Sequence, residues 1–250
     1  MPPVSPTGND LPRGEAGFHT THWTVVLAAG ADDGTKTREA LANLCSTYWY
    51  PLYAFIRRKG FAPHDAEDLT QEFFYRFLER HALEKARPSA GKFRSFLLVC
   101  LKNFLINERA AASAQRRGGG GVLVPLETGD AETRYLLEPM DNLTPEAVFE
   151  RRWAFAVLEG TMTDLRREYS STGKGALFDD LQGFLPSGRG TVSRSELAAK
   201  RNVGVGAIDV ALHRLRQRFG ALLRQQVART VSSETEIEDE IRYLISVIGA

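Results

Sequence analysis

The chain has 250 residues, of which 43% are hydrophobic and 25% are charged, and its formal net charge is +1 at pH 7. This length allows one large domain or two small ones, and the composition is that of a soluble globular protein. An apolar run long enough to span a membrane is absent, and residues 1–18 lack the apolar core of a signal peptide. A cytoplasmic protein without membrane contact is therefore expected.

Basic residues are concentrated in two stretches, although the net charge is close to zero. Residues 85–117 hold eight Lys and Arg against one acidic residue, and residues 191–229 hold eight against two. This segregation indicates two separate contacts with a polyanion, although two solvated helix faces would give the same composition. Cys45 and Cys100 lie among apolar helical residues, which favours buried reduced thiols over a disulfide or a metal site.

The N-terminal part of the chain predicts a disordered tail followed by helices. Residues 1–18 are rich in Pro and Gly and form the predicted tail. A short apolar segment covers Thr20 to Ala29. Apolar residues at helical spacing then predict a helix from Thr37 to Lys59, bent or interrupted at Pro51 and ended by Gly60.

An acidic helix and a basic helix follow, and they are the most informative part of the sequence. The acidic helix begins near Pro63 and has an apolar face of Leu69, Phe73 and Phe77; the opposite face carries Asp65, Asp68, Glu72 and Glu79 within about 60° of one another. After a turn at 88–91, the basic helix buries Phe93, Phe96, Leu97, Cys100, Leu101 and Phe104 and lines another face with Arg94, Lys102, Arg109 and Arg116. The pair offers an acidic surface to one partner and a cationic surface to another, which suggests an adaptor between a basic protein and nucleic acid.

The next part of the chain predicts a linker and a long helix. Residues 118–143 begin with four glycines and then lack helical periodicity, which favours an inter-domain linker. Thr144 and Pro145 form a cap and a first helical residue, so a helix is expected from there to about Tyr169. Its core candidates are Val148, Trp153, Phe155, Ala156, Leu158, Met162 and Leu165. A short helix over Ala176 to Leu185 is expected next.

The pattern from residue 193 onwards is typical of a helix-turn-helix. A capping box over Ser193 to Glu196 begins a short helix that ends at Arg201, and a turn at 202–204 leads into a longer helix from Val205 to about Val227. Its interior candidates are Leu197, Ala198, Val203, Ile208, Leu212, Leu215 and Phe219. Its outward face carries Gly206, Val210, His213, Arg214 and Gln217.

A last helix is predicted at the C-terminal end of the sequence. A capping box over Ser233 to Glu236 begins it, and its apolar stripe consists of Ile237, Ile241, Leu244, Ile245 and Ile248. We favour the interpretation that this helix and the segment 170–190 pack on the second domain and complete its core. The alternative is a regulatory surface that covers the basic helix until a partner displaces it.

The sequence contains no pattern that is typical of catalysis or metal binding. A phosphate loop, GxGxxG, paired cysteines and HExxH are all missing from it, and His19 and His22 have no third ligand nearby. The carboxylates near Asp65 lie on a solvated helix face without a histidine or serine to activate. The prediction is that the protein is not an enzyme and binds no cofactor or metal.

Several segments of the chain resemble one known family. They are DAEDLTQEFF in the acidic helix, GKFRSFLLVCLKNFL in the basic helix and LHRLRQRF in the helix-turn-helix, in that order. Over about residues 20–230 the chain is similar to extracytoplasmic-function (ECF) sigma factors, the two-domain branch of the sigma-70 family of bacterial RNA polymerase subunits. HWTVVLAAG, YWYPLYAFIRR and EIRYLI resemble more narrowly a group of such proteins common in planctomycete-like bacteria.

The resemblance implies an all-helical fold of two domains, a sigma region 2-like helical bundle and a sigma region 4-like helix-turn-helix, joined by a flexible linker. The resemblance also divides the chain into five segments. They are a disordered tail (1–18), the region 2-like domain (19–117), the linker (118–143), the region 4-like domain (144–231) and a C-terminal helix (232–250).

The resemblance also implies partners and site residues. The acidic helix would bind the clamp of the largest subunit of core RNA polymerase through Asp65, Asp68, Gln71 and Glu72. The −10 element of promoter DNA would be contacted by Arg94, Lys102, Asn103, Asn107, Arg109, Arg116 and Arg117. The −35 element would be contacted by Lys200, Arg201, Val210, His213, Arg214, Arg216 and Arg218. An anti-sigma factor and a protein kinase are further candidate partners.

The sequence departs from the common family pattern directly before LHR. The family usually has a basic, a small polar and another basic residue there, whereas this chain has Asp209, Val210 and Ala211. Asp209 would repel phosphate unless it accepts from a cytosine amino group, and Val210 would contact a thymine methyl.

The function predicted from the sequence is a promoter-specificity subunit without chemistry of its own. The first alternative is a sigma-like interaction protein that occupies polymerase or a signalling partner without initiating transcription. A helix-turn-helix repressor is a further alternative, but it leaves the acidic helix and the basic helix after it unexplained.

Overall fold

The computed structural model describes residues 35–79, 92–114, 131–137, 143–185 and 192–249. Within these ranges every regular element is a helix, which confirms the all-helical fold class. The helices are α1 (Thr35–Arg58), α2 (Pro63–Glu79), α3 (Phe93–Ala114), α4 (Ala131–Leu136), α5 (Pro145–Ser171), α6 (Gly175–Leu181), α7 (Arg194–Arg201), α8 (Val205–Ala228) and α9 (Ile237–Gly249). Across the described part of the chain, no helix is long and apolar enough to cross a membrane. The predicted tail, the segment Thr20 to Ala29 and the turn at 88–91 lie outside the described residues.

Several helix ends follow the signals that the sequence carries. Thr144 Oγ1 accepts a hydrogen bond of 3.2 Å from the backbone N–H three residues later, and Pro145 occupies the first turn of α5. Ser193 and Glu196 form the predicted capping box at the start of α7. Asn202 follows α7 with a φ of 51°, a left-handed conformation that its short polar side chain tolerates. The capping box therefore fixes the start of α7, and the left-handed Asn202 fixes the turn that follows it.

The central element of the fold is α5, which has 27 residues and is about 40 Å long. It packs against α1, and also against α6, α8 and α9. Its buried residues are Val148, Phe149, Arg152, Trp153, Ala154, Val157, Leu158, Thr161 and Leu165. The apolar core is therefore continuous from α1 through α5 to α9, so burial of apolar surface joins helices from both ends of the chain.

The part of the chain that was predicted to be a linker contains a short helix, α4. Arg57 of α1 donates from Nε and Nη2 to the two carboxylate oxygens of Glu132, at 2.8 and 2.7 Å, and Tyr53 Oη donates to the same carboxylate at 2.5 Å. The hydrogen bond from Arg57 holds the pKa of Glu132 below its usual range. Because six residues are too few to form a stable helix alone, these contacts with α1 stabilise α4.

Most residues predicted for the core are buried, but two predictions were wrong. Val203 is 45% exposed and Ile245 is 62% exposed. Val203 follows Asn202 directly, and its N–H donates to the Ala198 carbonyl while its side chain faces solvent. On α9 the neighbouring Leu244 is buried instead, and adjacent residues of a helix are 100° apart, so they cannot share one narrow face.

The two cysteines lie on different helices of the N-terminal part. Cys45 of α1 and Cys100 of α3 are both free and half-buried. Burial raises the pKa of each thiol to about 11, because the thiolate is less well solvated than the thiol.

Candidate protein and nucleic-acid interfaces

The predicted polymerase-binding residues lie along α2. Asp65 is exposed in the first turn, and Asp68 pairs with His64 across 3.2 Å. The Glu72 carboxylate accepts from Arg76 Nε at 2.5 Å. An exposed carboxylate in the first turn of a helix is stabilised by the positive helix terminus, so Asp65 is an available anionic group for a basic partner.

Gln71 differs from the other three residues of this group. Its side-chain Oε1 is buried and has no hydrogen-bond partner in the described structure. At 100° per residue it is also turned well away from Asp65 on the helix. The structure therefore brings Asp65, Asp68 and Glu72 together and leaves Gln71 at the margin of their face.

Arg94 lies in the interior, which corrects the expectation of a phosphate-facing side chain. Its side chain is only 4% exposed. Its Nε donates to Glu150 of α5 at 2.6 Å, and its Nη1 lies 2.9 Å from Glu240 of α9. The guanidinium stacks between two rings, 4.6 Å from the centroid of Trp153 and 4.4 Å from that of Tyr243. In this conformation Arg94 is not accessible to DNA.

Lys92 extends this arrangement to a group of four charged residues, which we call the buried charge cluster: Lys92, Arg94, Glu150 and Glu240. Lys92 Nζ lies 2.5 Å from Glu240, whose side chain is fully buried. Both contacts of Glu240 are ion pairs without the alignment of a hydrogen bond. Burial raises the pKa of Glu150, and the Arg94 charge opposes that shift. Charges removed from water in this way are costly unless they remain paired.

The other residues predicted to contact the −10 element are more accessible. Lys102 Nζ pairs with Glu146 of α5 at 2.8 Å, and Arg109 lies 5.0 Å from the ring centroid of Phe61. Asn103 and Asn107 are exposed on α3. The structure therefore leaves the two amides and Arg109 facing solvent, while Lys102 is half-covered by its carboxylate partner. Arg116 and Arg117 lie outside the described residues.

Helices α7 and α8 and the short turn between them are the segment predicted to be a helix-turn-helix, and several of its cations are held by the preceding segment. Asp180 of α6 accepts from both Lys200 Nζ and Arg201 Nε at 2.6 Å. The hydrogen bond from Lys200, supported by that from Arg201, lowers the pKa of Asp180. Arg216 donates to the Phe184 carbonyl at 3.2 Å. The segment that follows α5 therefore neutralises part of the cationic surface.

The outward face of α8 agrees with the prediction. Val210, His213 and Arg214 are all exposed on it. Arg218 is held further along the helix by a two-point hydrogen bond to the Glu168 carboxylate. Asp209 pairs with Arg194 at 3.1 Å, so its charge is balanced by a neighbour and does not stand alone beside the predicted DNA-binding surface.

The acidic partners of the cations were not predicted from the sequence. Glu150, Glu240, Glu168 and Asp180 are far in sequence from the cations that they bind. Helical periodicity assigns a residue to a face of its own helix, but it does not say which other helix covers that face. One usable signal existed: Glu240 lies on the same side of α9 as the apolar residue Leu244, four positions later.

Residues 46–115 match the family model of sigma-70 region 2. The match covers the second half of α1, all of α2 and all of α3, and it therefore includes the acidic residues of α2 and the cations of α3. No curated protein and no solved structure matches the chain. The chain is therefore similar to the sigma-70 family through residues 46–115 of its N-terminal part.

Proposed function

We propose that this protein binds core RNA polymerase and directs it to a promoter, as a transcription initiation factor without enzymatic activity. The observation that carries the proposal is the match of residues 46–115 to sigma-70 region 2, a domain that supports sigma-factor-like polymerase binding. The exposed carboxylate of Asp65, with Asp68 and Glu72 beside it, suits a basic surface on the polymerase.

The polymerase contact can be tested with a charge-reversal pair, Asp65→Lys with Asp68→Lys. We expect the affinity for purified core polymerase to fall at least about thirtyfold, the loss of a contact worth about 2 kcal/mol. Helix content, measured by circular dichroism, should not change, because neither side chain is buried.

A matched control is Glu159→Lys with Asp179→Lys, which reverses two exposed carboxylates on α5 and α6. This pair should leave polymerase binding unchanged. If the α2 pair binds as tightly as the control, the polymerase contact lies elsewhere on the protein.

Promoter recognition is proposed for two surfaces. The exposed Asn103, Asn107 and Arg109 of α3 would contact the −10 element, and the outward face of α8 would enter the major groove at the −35 element. On α8, Val210 suits a thymine methyl, and Arg214 suits a phosphate or a guanine edge. Run-off transcription with purified core polymerase on a genomic promoter library tests this function directly.

A second candidate function is a protein that binds polymerase without initiating transcription. It is favoured by the carboxylate partners of Arg94, Lys102, Lys200, Arg201 and Arg218, which occupy predicted DNA contacts in this conformation. Binding to core polymerase without any run-off product from the library would select this candidate.

The contact between α6 and the helix-turn-helix gives a second prediction. Replacing Asp180 with Asn frees Lys200 and leaves Arg201 only its hydrogen bond to the Ala176 carbonyl, so affinity for duplex DNA should rise and the slope of log K against log salt should steepen by about 1 to 2. Because the Asp180 side chain is only 15% exposed and that of Arg201 only 28%, the loss of stability should exceed the value of about 1 kcal/mol that is typical of an exposed ion pair.

The control for this experiment is Asp179→Asn. Asp179 is adjacent and pairs with Arg166, which is outside the predicted DNA surface. DNA binding is measured by fluorescence anisotropy over a range of salt concentrations. An equal salt slope for both variants would exclude Lys200 and Arg201 from the DNA contact.

We also propose a branch of the family, a cellular location and a kind of regulation for this protein. The quoted motifs favour the ECF branch and the group common in planctomycete-like bacteria, with regions 2 and 4 divided by residues 118–143. We further propose a cytoplasmic location, which a polymerase subunit requires, and regulation by an anti-sigma factor or a protein kinase. Transcripts induced by overexpression would identify the regulon.

A further inference from the structure

The buried charge cluster joins the last helix of the chain to the segment that matches sigma-70 region 2. Glu240 of α9 reaches both Lys92 and Arg94, which flank the first residue of α3. The Tyr243 ring covers the same two cations, at 4.4 Å from the Arg94 guanidinium and 5.1 Å from Lys92 Nζ. The N-terminal end of α3 is thus covered by residues of α9.

A backbone contact supports the same connection. The N–H of Phe93, the first residue of α3, donates to the Thr230 carbonyl at 3.1 Å. Thr230 lies between α8 and α9 and is itself buried. The first turn of α3 therefore depends on the position of the C-terminal segment, both through charged side chains and through the backbone.

The attachment of α9 has a small fully buried part. Glu240 and Leu244 are its buried residues, while Ile245 is largely exposed. Separating α9 from α3 would return the charges of Glu240 and Lys92 to water, which recovers part of the solvation free energy lost on burial, while Arg94 would stay paired with Glu150. The charged contact with α3 is specific in geometry, and partly buried apolar residues of α9 such as Ile241 and Ile248 also hold the helix to the core formed with α5 and α8.

We propose that α9 is an autoinhibitory element, in which Glu240 occupies the cations at the start of α3 and prevents them from reaching DNA. The proposal rests on the function proposed above, because it takes α3 as a DNA-binding helix. Two glutamates of α5 also occupy cations of α3. Glu146 pairs with Lys102, and Glu150 pairs with Arg94. Displacement of α9 exposes Lys92 and leaves Arg94 with Glu150 alone, so a phosphate can compete for both cations.

The test uses the full-length protein with Glu240→Gln, a substitution that keeps the shape of the side chain and removes its charge. Hydrogen exchange in α9 and in the first turn of α3 should accelerate at least about tenfold, because Lys92 and Arg94 lose a carboxylate partner. Affinity for a short labelled duplex of arbitrary sequence should rise, and its salt slope should steepen by about 1 for the released Lys92, because Arg94 keeps its hydrogen bond to Glu150.

Two further variants make the result interpretable. Glu238→Gln removes an exposed carboxylate of α9 that pairs with Arg224 at 2.8 Å, and it should change neither measurement. Leu244→Ala loosens α9 through its apolar contact while Glu240 stays in place. If Glu240→Gln does not fold, Leu244→Ala must show the same two changes, smaller in size, for the proposal to hold.

The outcomes separate this proposal from the proposed function. Faster exchange with unchanged or weaker DNA binding would mean that α9 only completes the core, and unchanged exchange would mean that Glu240 does not hold α9; either result overturns autoinhibition. The exchange measurement needs neither polymerase nor promoter. Failure of the sigma function would instead appear as a wild-type protein that does not bind core polymerase.

Discussion

Replacing Arg94 with alanine is expected to lower the free energy of unfolding by about 3–5 kcal/mol, the cost of removing one partner from a buried ion pair. Glu150 and Glu240 would remain in the interior without the guanidinium that now lies 2.6 and 2.9 Å away. The Trp153 and Tyr243 rings would also lose the cation that is stacked between them. Urea denaturation followed by circular dichroism measures the loss.

Lys102→Ala provides the matched control for the Arg94 experiment. Lys102 is also a cation of α3 that pairs with a glutamate of α5, but both side chains are about 40% exposed. Its removal should cost about 1 kcal/mol or less. If both variants unfold at the same urea concentration, that result would contradict the interior position of Arg94. Arg94→Lys should lie between them, because an ammonium group keeps the charge but cannot reproduce the planar stack.

Replacing Trp153 with alanine should be comparably damaging, with a loss of about 3–5 kcal/mol in the free energy of unfolding. Trp153 is completely buried on α5, the helix that packs against α1, α8 and α9. Because one core contains all of these helices, we expect the N-terminal and C-terminal helices to lose stability together. Hydrogen exchange resolved by peptide measures both regions in one experiment.

Trp153→Phe is the control for this substitution, since it keeps an aromatic ring under Arg94 and leaves a smaller cavity. Trp153→Phe should lower the free energy of unfolding clearly less than Trp153→Ala does. If Trp153→Ala destabilises only one end of the chain, α5 does not couple α1 to the helix-turn-helix in the way that the continuous core predicts.

Most of the helices could be predicted from the sequence, because helix caps and the spacing of apolar residues depend only on residues a few positions apart. The capping box at Ser193, the cap at Thr144 and the outward face of α8 were all confirmed. Each of these depends on side chains within one or two turns of each other. The aromatic face of α3 was also confirmed, since Phe93 and Phe104 are buried and helical spacing alone is enough to group them.

The position of Arg94 could not be predicted by the same means. Its angular position on α3 is compatible with a cationic face, and nothing within α3 distinguishes it from Lys102. The difference comes from Glu240, whose contact with Arg94 requires the packing of helices that are far apart in the chain. The same reason explains α4, whose helix depends on Arg57 and not on its own periodicity.

The environment of the two cysteines has a practical consequence for the reactivity of this protein. With a pKa of about 11 at Cys45 and Cys100, only about one thiol in ten thousand is ionised at neutral pH. Because the thiolate is the nucleophile, peroxides and alkylating reagents react slowly at both positions. A single cysteine introduced at an exposed site of α9 would consequently be modified first, and a probe placed there would report the movement of that helix in the otherwise native chain.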